Sequence, residues 1–405
     1  MASERQRRAA TPSAPQSDSG KRLSRKFFNV STGFDMHFFV LLMIILIIGL
    51  ATLYSASHVY AFHHNDGDSY FYILNQVKFA VIGFAVMWLV SAVDYHIWHK
   101  VAWLPWILSM IMLALALILP SKGEIKRWIH IGSFSFQPSE IAKFAVVLLL
   151  AHYISVNYKK MKTIGKGFLI PLLIVGSTCA LVLPEPHLSG TLLIGCLGLG
   201  MMFVGGTRWG YIAGVILLGV AGVLFVVFVM GYEVDRMLVW FHPLESYNNE
   251  IQFPDGKAGR DHAWQTVQSL YTIGSGGLLG QGPGNSRQKH LFLPEPQNDF
   301  VFSVFCEEMG FVGAVLLLLL FAFLVWRGLK IALKAPDKFG CMLALGLCLQ
   351  IGLQVGINVA VVSNLLPNTG ISLPFFSYGG TSLVVLMMQM GVILSISRQS
   401  KLDKV

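Results

Sequence analysis

The chain has 405 residues, of which 54% are hydrophobic and only 13% charged, a composition too apolar for a water-soluble fold and expected of a membrane-resident one. A formal charge of +9 would suggest a nucleic-acid partner in a soluble protein; in a membrane protein the placement of the charges matters more than their sum, and no nucleic acid is expected. Cys179, Cys196, Cys306, Cys341 and Cys348 all fall in apolar runs without the spacing of a zinc site or a disulfide framework, and are read as packing residues.

Residues 1–30 are rich in Ser, Pro, Gln and Arg and lack the apolar core of a cleavable signal, so they are expected to form a disordered basic tail. The membrane domain is expected over 31–398, with a short tail at 399–405. A helix needs roughly 20 apolar residues to cross the hydrocarbon. Candidate runs begin near His37, Tyr70, Val101, Ser139, Phe168, Leu188, Trp209, Asp299, Phe339 and Phe375, which predicts an all-α polytopic protein of about ten spans. Pro184, Pro186 and Gly190 interrupt the fifth and sixth, predicting a tight hairpin. Lys100, the cluster Lys159, Lys160, Lys162 and Lys166, Arg208, and the set Arg327, Lys330, Lys334 and Lys338 fall on the same side as the basic tail, which places both termini in the cytoplasm. No internal repeat is visible.

On the outer side, three segments are unusually polar: Ser121 to Glu140, Tyr232 to Asp299, and Asn364 to Ser382. The second contains a large loop over 232–298. All three are expected to converge. Pro367, Gly370, Pro374, Gly379 and Gly380 break the start of the last span, and irregular backbone at membrane depth belongs where it lines a cavity. Just upstream, Gln350, Gln354 and Asn358 recur every four residues, so three amides share one helix face, pointing inward as cavity lining or as glue between helices.

Charges within spans cost roughly 2.5 to 3.5 kcal/mol each on insertion scales and count as functional candidates. Glu140 and Lys143 share a face three residues apart and read either as a functional pair or as an ion pair that fixes a helix. Lys78 reads as a snorkelling side chain. Asp299 opens the eighth span directly after "LPEPQN". A carboxylate at the mouth of an apolar cavity suits a general base, and an Asp at a helix start equally suits an N-cap. Glu307 and Glu308 lie deeper and read as packing groups or proton carriers. The run "IGSGGLLGQGPGNSRQK" allows backbone N–H groups to approach phosphate, but no strand precedes it and it is no nucleotide-binding loop. His63, His64, Asp66 and Asp68 read as a solvated loop rather than a metal site.

The segments "KRWIHIGSFSFQPSEIAKF", "QTVQSLYTIGSGGLLGQGPGNSRQKHLFLPEPQNDFVFSVFCEEMGF" and "LPNTGISLPFFSYGGTS" closely resemble the SEDS family of shape, elongation, division and sporulation proteins, and "GNSRQK" followed by "LPEP" looks like its FtsW division or sporulation branch. The resemblance implies a peptidoglycan glycosyltransferase that polymerises lipid II at the outer face of the bacterial plasma membrane during septal wall synthesis. It also implies an undecaprenyl-pyrophosphate-linked glycan as donor, a class B penicillin-binding protein as cross-linking partner, other division proteins, and membrane lipid around the bundle. Asp299 matches the family's essential Asp and would deprotonate the 4-hydroxyl of the incoming sugar. Arg127, Lys143, Arg287 and Lys289 would meet the pyrophosphate, with a divalent cation (Mg or Mn) as the implied helper and no organic cofactor. Gln137, Ser139, Glu140, Gln265, Glu295 and Ser377 complete the implied substrate-binding set. Two departures stand out: Pro186, His187, Leu188 and Ser189 replace Pro-Asp-Leu-Gly, and the stretch from Ser246 to Asp261 is longer than usual. A lipid II flippase or a non-catalytic division scaffold are the alternative readings; the gathering of polar residues on one side disfavours an alternating-access carrier.

Overall fold

The computed structural model describes residues 33–119, 128–131, 134–185, 188–228, 234–251, 253 and 258–400. The expected tail at 1–30, and with it Arg127, His187 and residues 401–405, lie outside them. Helix α1 (Met36–His64) starts where the Asp35 carboxylate accepts from the Phe38 amide, satisfying one of the donors that a helix start leaves free. There follow α2 (Phe71–Ala92), the short α3 (His96–Lys100), α4 (Trp103–Ile118), α5 (Pro138–Asn157), α6 (Ile170–Val182), α7 (Leu188–Val204) and α8 (Trp209–Phe228). The segment before the eighth predicted span carries α9 (Val234–Phe241), α10 (Pro243–Tyr247) and α11 (Gly259–Ser275). The chain closes with α12 (Val301–Leu333), α13 (Lys338–Val362) and α14 (Gly380–Gln399).

Among the described residues seven helices are long and apolar enough to cross a membrane, and three shorter apolar ones accompany them, near the places where the apolar runs begin. Helical class is therefore as expected, with one addition: Ile129–Ile131 (β1) and Phe134–Phe136 (β2) pair antiparallel, Ile129 opposite Phe136. This hairpin leads straight into Pro138, whose missing N–H costs nothing at a first helical position.

Helix α5 is the centre of the bundle. Predominantly apolar, it is buried along most of its length and packs against α4, α6, α7 and α13. Elsewhere small residues let helices close on one another, as membrane bundles require when apolar burial itself gives no drive. Gly391 of α14 lies against the Met87 backbone of α2, and Gly49 of α1 against the Phe375 carbonyl, with no room for a side chain at either.

At the end remote from α9–α11, three helices are tied by charge. Arg327 of α12 donates through Nε to both Asp35 oxygens (3.1 and 3.0 Å) and approaches through Nη2 at 2.8 Å, and the Asp35 amide donates to Ser397 Oγ of α14. Removing one partner of a buried pair leaves the other charge stranded. Asp35→Ala should cost about 3 kcal/mol and lower the thermal unfolding midpoint of the detergent-solubilised protein, whereas an exposed substitution such as Lys78→Ala should not.

Candidate active site

Helix α12 is interrupted. Gly310 has φ 67° and ψ −173°, a conformation foreign to a helix, so the segment divides into a short helix carrying Glu307 and Glu308 and a long one after the break. The glycine-rich run fills the interruption. Gln281 and Gly282 donate to the carbonyls of Glu307 and Glu308, while Phe311 and Val312 donate to those of Gly277 and Leu278. A side chain at Gly276 or Gly280 would collide with the α12 backbone. Close approach is thus used by these glycines, but toward a helix backbone and not toward phosphate.

Beneath this hairpin is a buried charge cluster. The Lys289 ammonium, 1% exposed, donates to Glu308 Oε1 (3.1 Å), Ser55 Oγ (3.0 Å) and the Gly284 carbonyl (2.6 Å). Glu307 accepts from Ser286 Oγ and from the Arg287 amide. The packing reading of Glu307 and Glu308 is the one these contacts fit. Lys289, expected at the pyrophosphate, is bonded within this cluster, and Arg287 is exposed.

Asp299 lies in a different place, a cavity of about 400 Å³. Its walls come from α9 (Asp235, Arg236, Val239, Trp240), from α11 (Asp261, His262, Gln265, Thr266) and from the turn after α13 (Asn364, Asn368, Thr369, Gly370). Helix α12 opens at Val301 with Phe300 in the N-cap position, so Asp299 stands one residue before the cap. Three anchors hold the walls. Ser269 Oγ of α11 bonds both Ser303 Oγ of α12 and the Val362 carbonyl of α13 at 2.8 Å. Trp240 Nε1 donates to the Asn364 carbonyl (3.1 Å), and Asn364 Nδ2 returns a bond to the Trp240 carbonyl (3.2 Å). Asn368 Nδ2 donates to Gln265 Oε1 at 2.9 Å.

A second cavity, about 20 Å³, holds the space of roughly one water. Glu140, Gln350, Gln354, Ser377 and Gln389 line it, and Glu140 accepts from the Lys143 ammonium at 2.8 Å. The carbonyl oxygens of Gln350 and Gln389 and the hydroxyl of Ser139 are buried without a partner. The inward-facing amide stripe of α13 is therefore cavity lining at Gln350 and Gln354 and a structural clamp at Asn358.

Among the sequence-derived candidates, the structure brings Asp299 and Gln265 into the large cavity and Glu140 and Ser377 into the small one, with Lys143 paired to Glu140. Gln137 precedes α5 without a side-chain cap bond, and the exposed Glu295 accepts from Asn298 Nδ2 (2.9 Å) outside both cavities. Asp235, Arg236, Asp261 and His262 were not anticipated individually; the available signal was their clustering in two short amphipathic stretches of the polar loop. No group of three or more His, Cys, Asp or Glu among the described residues is placed to hold a metal ion.

The model of the FtsW/RodA/SpoVE cell cycle proteins matches residues 35–402. The chain belongs to this family. Within the family it is 40% identical over 372 residues to stage V sporulation protein E of Bacillus subtilis (strain 168), covering 91% of this chain and 98% of that protein. It is 36% identical over 376 residues to a probable peptidoglycan glycosyltransferase FtsW of Geobacter sp. (strain M18), with 91% and 98% covered. Among solved structures, a chain from work on the coordination of polymerization and crosslinking by a peptidoglycan synthase complex superposes with a TM-score of 0.74 at 25% identity, covering 91% of this chain and 99% of that one. The rod shape determining protein RodA of Thermus thermophilus superposes with a TM-score of 0.64 at 25% identity, covering 91% and 98%.

The charge cluster gives a test of its own. Lys289→Met strands the buried Glu308 carboxylate and should lower stability by about 3 kcal/mol, read as the unfolding midpoint in detergent. Adding Glu308→Gln should restore most of it, an outcome that a phosphate-binding role for Lys289 does not produce.

Proposed function

We propose that this chain is a peptidoglycan glycosyltransferase that polymerises lipid II into glycan strands at the outer face of the bacterial plasma membrane, in septal wall synthesis for division or sporulation. The observation that carries the reading is the Asp299 carboxylate in a roomy polar cavity at one end of an apolar helical bundle, in a family whose relatives include a probable peptidoglycan glycosyltransferase FtsW. In this reading Asp299 takes the proton from the 4-hydroxyl of the acceptor sugar as that oxygen attacks the anomeric carbon of the donor. The bond to the undecaprenyl pyrophosphate breaks on the opposite face, and the configuration inverts. Proton removal in the transition state makes a poor nucleophile competent, and the cavity's walls hold the two sugars in line.

The departing pyrophosphate calls for positive charge. Arg236 lies in the same cavity as Asp299, and Lys143 and Arg127 are further candidates. Lys143 has first to exchange its Glu140 partner for the phosphate oxygens. The positive-inside distribution supports both termini in the cytoplasm and puts the α9–α11 face outside. The synthase complex to which the chain is structurally similar couples polymerization to crosslinking, which supports a class B penicillin-binding protein as partner.

The purified full-length chain with its cognate transpeptidase and labelled lipid II should yield glycan polymer, and Asp299→Ala should reduce it by at least 100-fold, since general-base catalysis contributes about 10²–10⁴. Polymer at the parent level from Asp299→Ala, or headgroup translocation in liposomes by that variant, would replace this reading with the flippase. Lys143→Ala should lower turnover without unfolding the protein; unchanged turnover removes Lys143 from the site.

A further inference from the structure

The backbone of Asp299 is held by a side chain that never touches the cavity. Asn358, fully buried on the amide face of α13, donates through Nδ2 to the Asp299 carbonyl at 2.9 Å and to the Ile371 carbonyl at 2.6 Å. One NH₂ group thus spends both hydrogens joining the turn that carries Asp299 to the irregular segment facing it. The facing segment is close. Gly370 has φ 71°, and a methyl group there would sit 3.1 Å from Asp299 Oδ2. A second tie, the Tyr378 amide donating to the Gln297 carbonyl at 2.8 Å, fixes the same two segments further along.

We infer that Asn358 is a positioning residue for the reaction: its amide sets the height of the Asp299 backbone, and so of the carboxylate, against the Gly370 wall of the substrate cavity. The inference rests on the glycosyltransferase reading above. Asn alone among the short side chains carries two hydrogens on one nitrogen at this reach; Asp has the shape without the hydrogens, and Leu has the size without polarity. Loss of the clamp leaves two buried carbonyls unsatisfied and lets the carboxylate drift. A misplacement of about 1 Å far from the bond being made can cost about 100-fold in rate.

The test uses the full-length protein with its transpeptidase and labelled lipid II, comparing Asn358→Asp, Asn358→Leu and Asn358→Gln with the parent, each checked by thermal unfolding in detergent. The expected result is a kcat on the order of 100-fold lower for the Asp and Leu variants with KM within about twofold of the parent, because the cavity's own lining is untouched, and partial recovery of kcat in Asn358→Gln, which keeps both hydrogens. If the Leu variant fails to fold, the Asp variant, alike in size but with an acid in place of the amide, decides once its own unfolding midpoint shows it folded. Parent kcat in Asn358→Asp, or a raised KM with kcat unchanged, overturns the inference. Asp299→Asn is run beside them: if it polymerises at the parent rate, the glycosyltransferase assignment fails, whereas an inactive Asp299→Asn with a fully active Asn358→Asp sinks the positioning role alone.

Discussion

Two interruptions of helical backbone inside an apolar bundle are the constraint on which the rest of this molecule depends. Main-chain N–H and C=O groups that leave a helix at membrane depth have no water to turn to. At Gly310 the glycine-rich hairpin supplies the partners, main chain to main chain. Between α13 and α14 the partners are side chains: Asn358 for Ile371, Ser377 for the Leu373 amide, Gln76 for the Ser377 carbonyl and the Gly379 amide. The large cavity is built on the products of these repairs, since Asp299 follows the first segment and Gly370 belongs to the second.

Charge is handled by the same rule of local satisfaction. Asp35 with Arg327, Glu140 with Lys143 and Glu308 with Lys289 each pair within hydrogen-bonding reach. The first pair joins helix ends distant in sequence, the second stays within one turn, and the third ties the hairpin to the broken helix. Around the larger cavity Asp235, Asp261, Asp299, Arg236 and His262 line one open space together.

Helical spans were legible because length and hydropathy act residue by residue, and Asp299 was legible because a carboxylate at a span's mouth is costly enough to need a reason. The amide face of α13 was equally legible from a four-residue spacing, although spacing could not say that Asn358 clamps backbone while Gln350 and Gln354 line a chamber. For Lys289 the spacing gave no sign of its partner: Glu308, 19 positions away, sits on the short helix before Gly310. The contribution of α9 was hidden for a related reason. Asp235 and Arg236 look like ordinary loop charges until the reciprocal Trp240 and Asn364 bonds, 124 positions apart, bring that helix over the cavity.

The contact of Gly49 with the Phe375 carbonyl carries a consequence for how variation is tolerated. Gly49 sits midway along α1 with no side chain and lines neither cavity, yet that missing side chain is what lets the segment leading to Gly379 lie close against α1. The tolerance of a position in this chain to change is therefore set by what backbone it abuts, and the silent middle of the first span belongs, energetically, to the wall of the site.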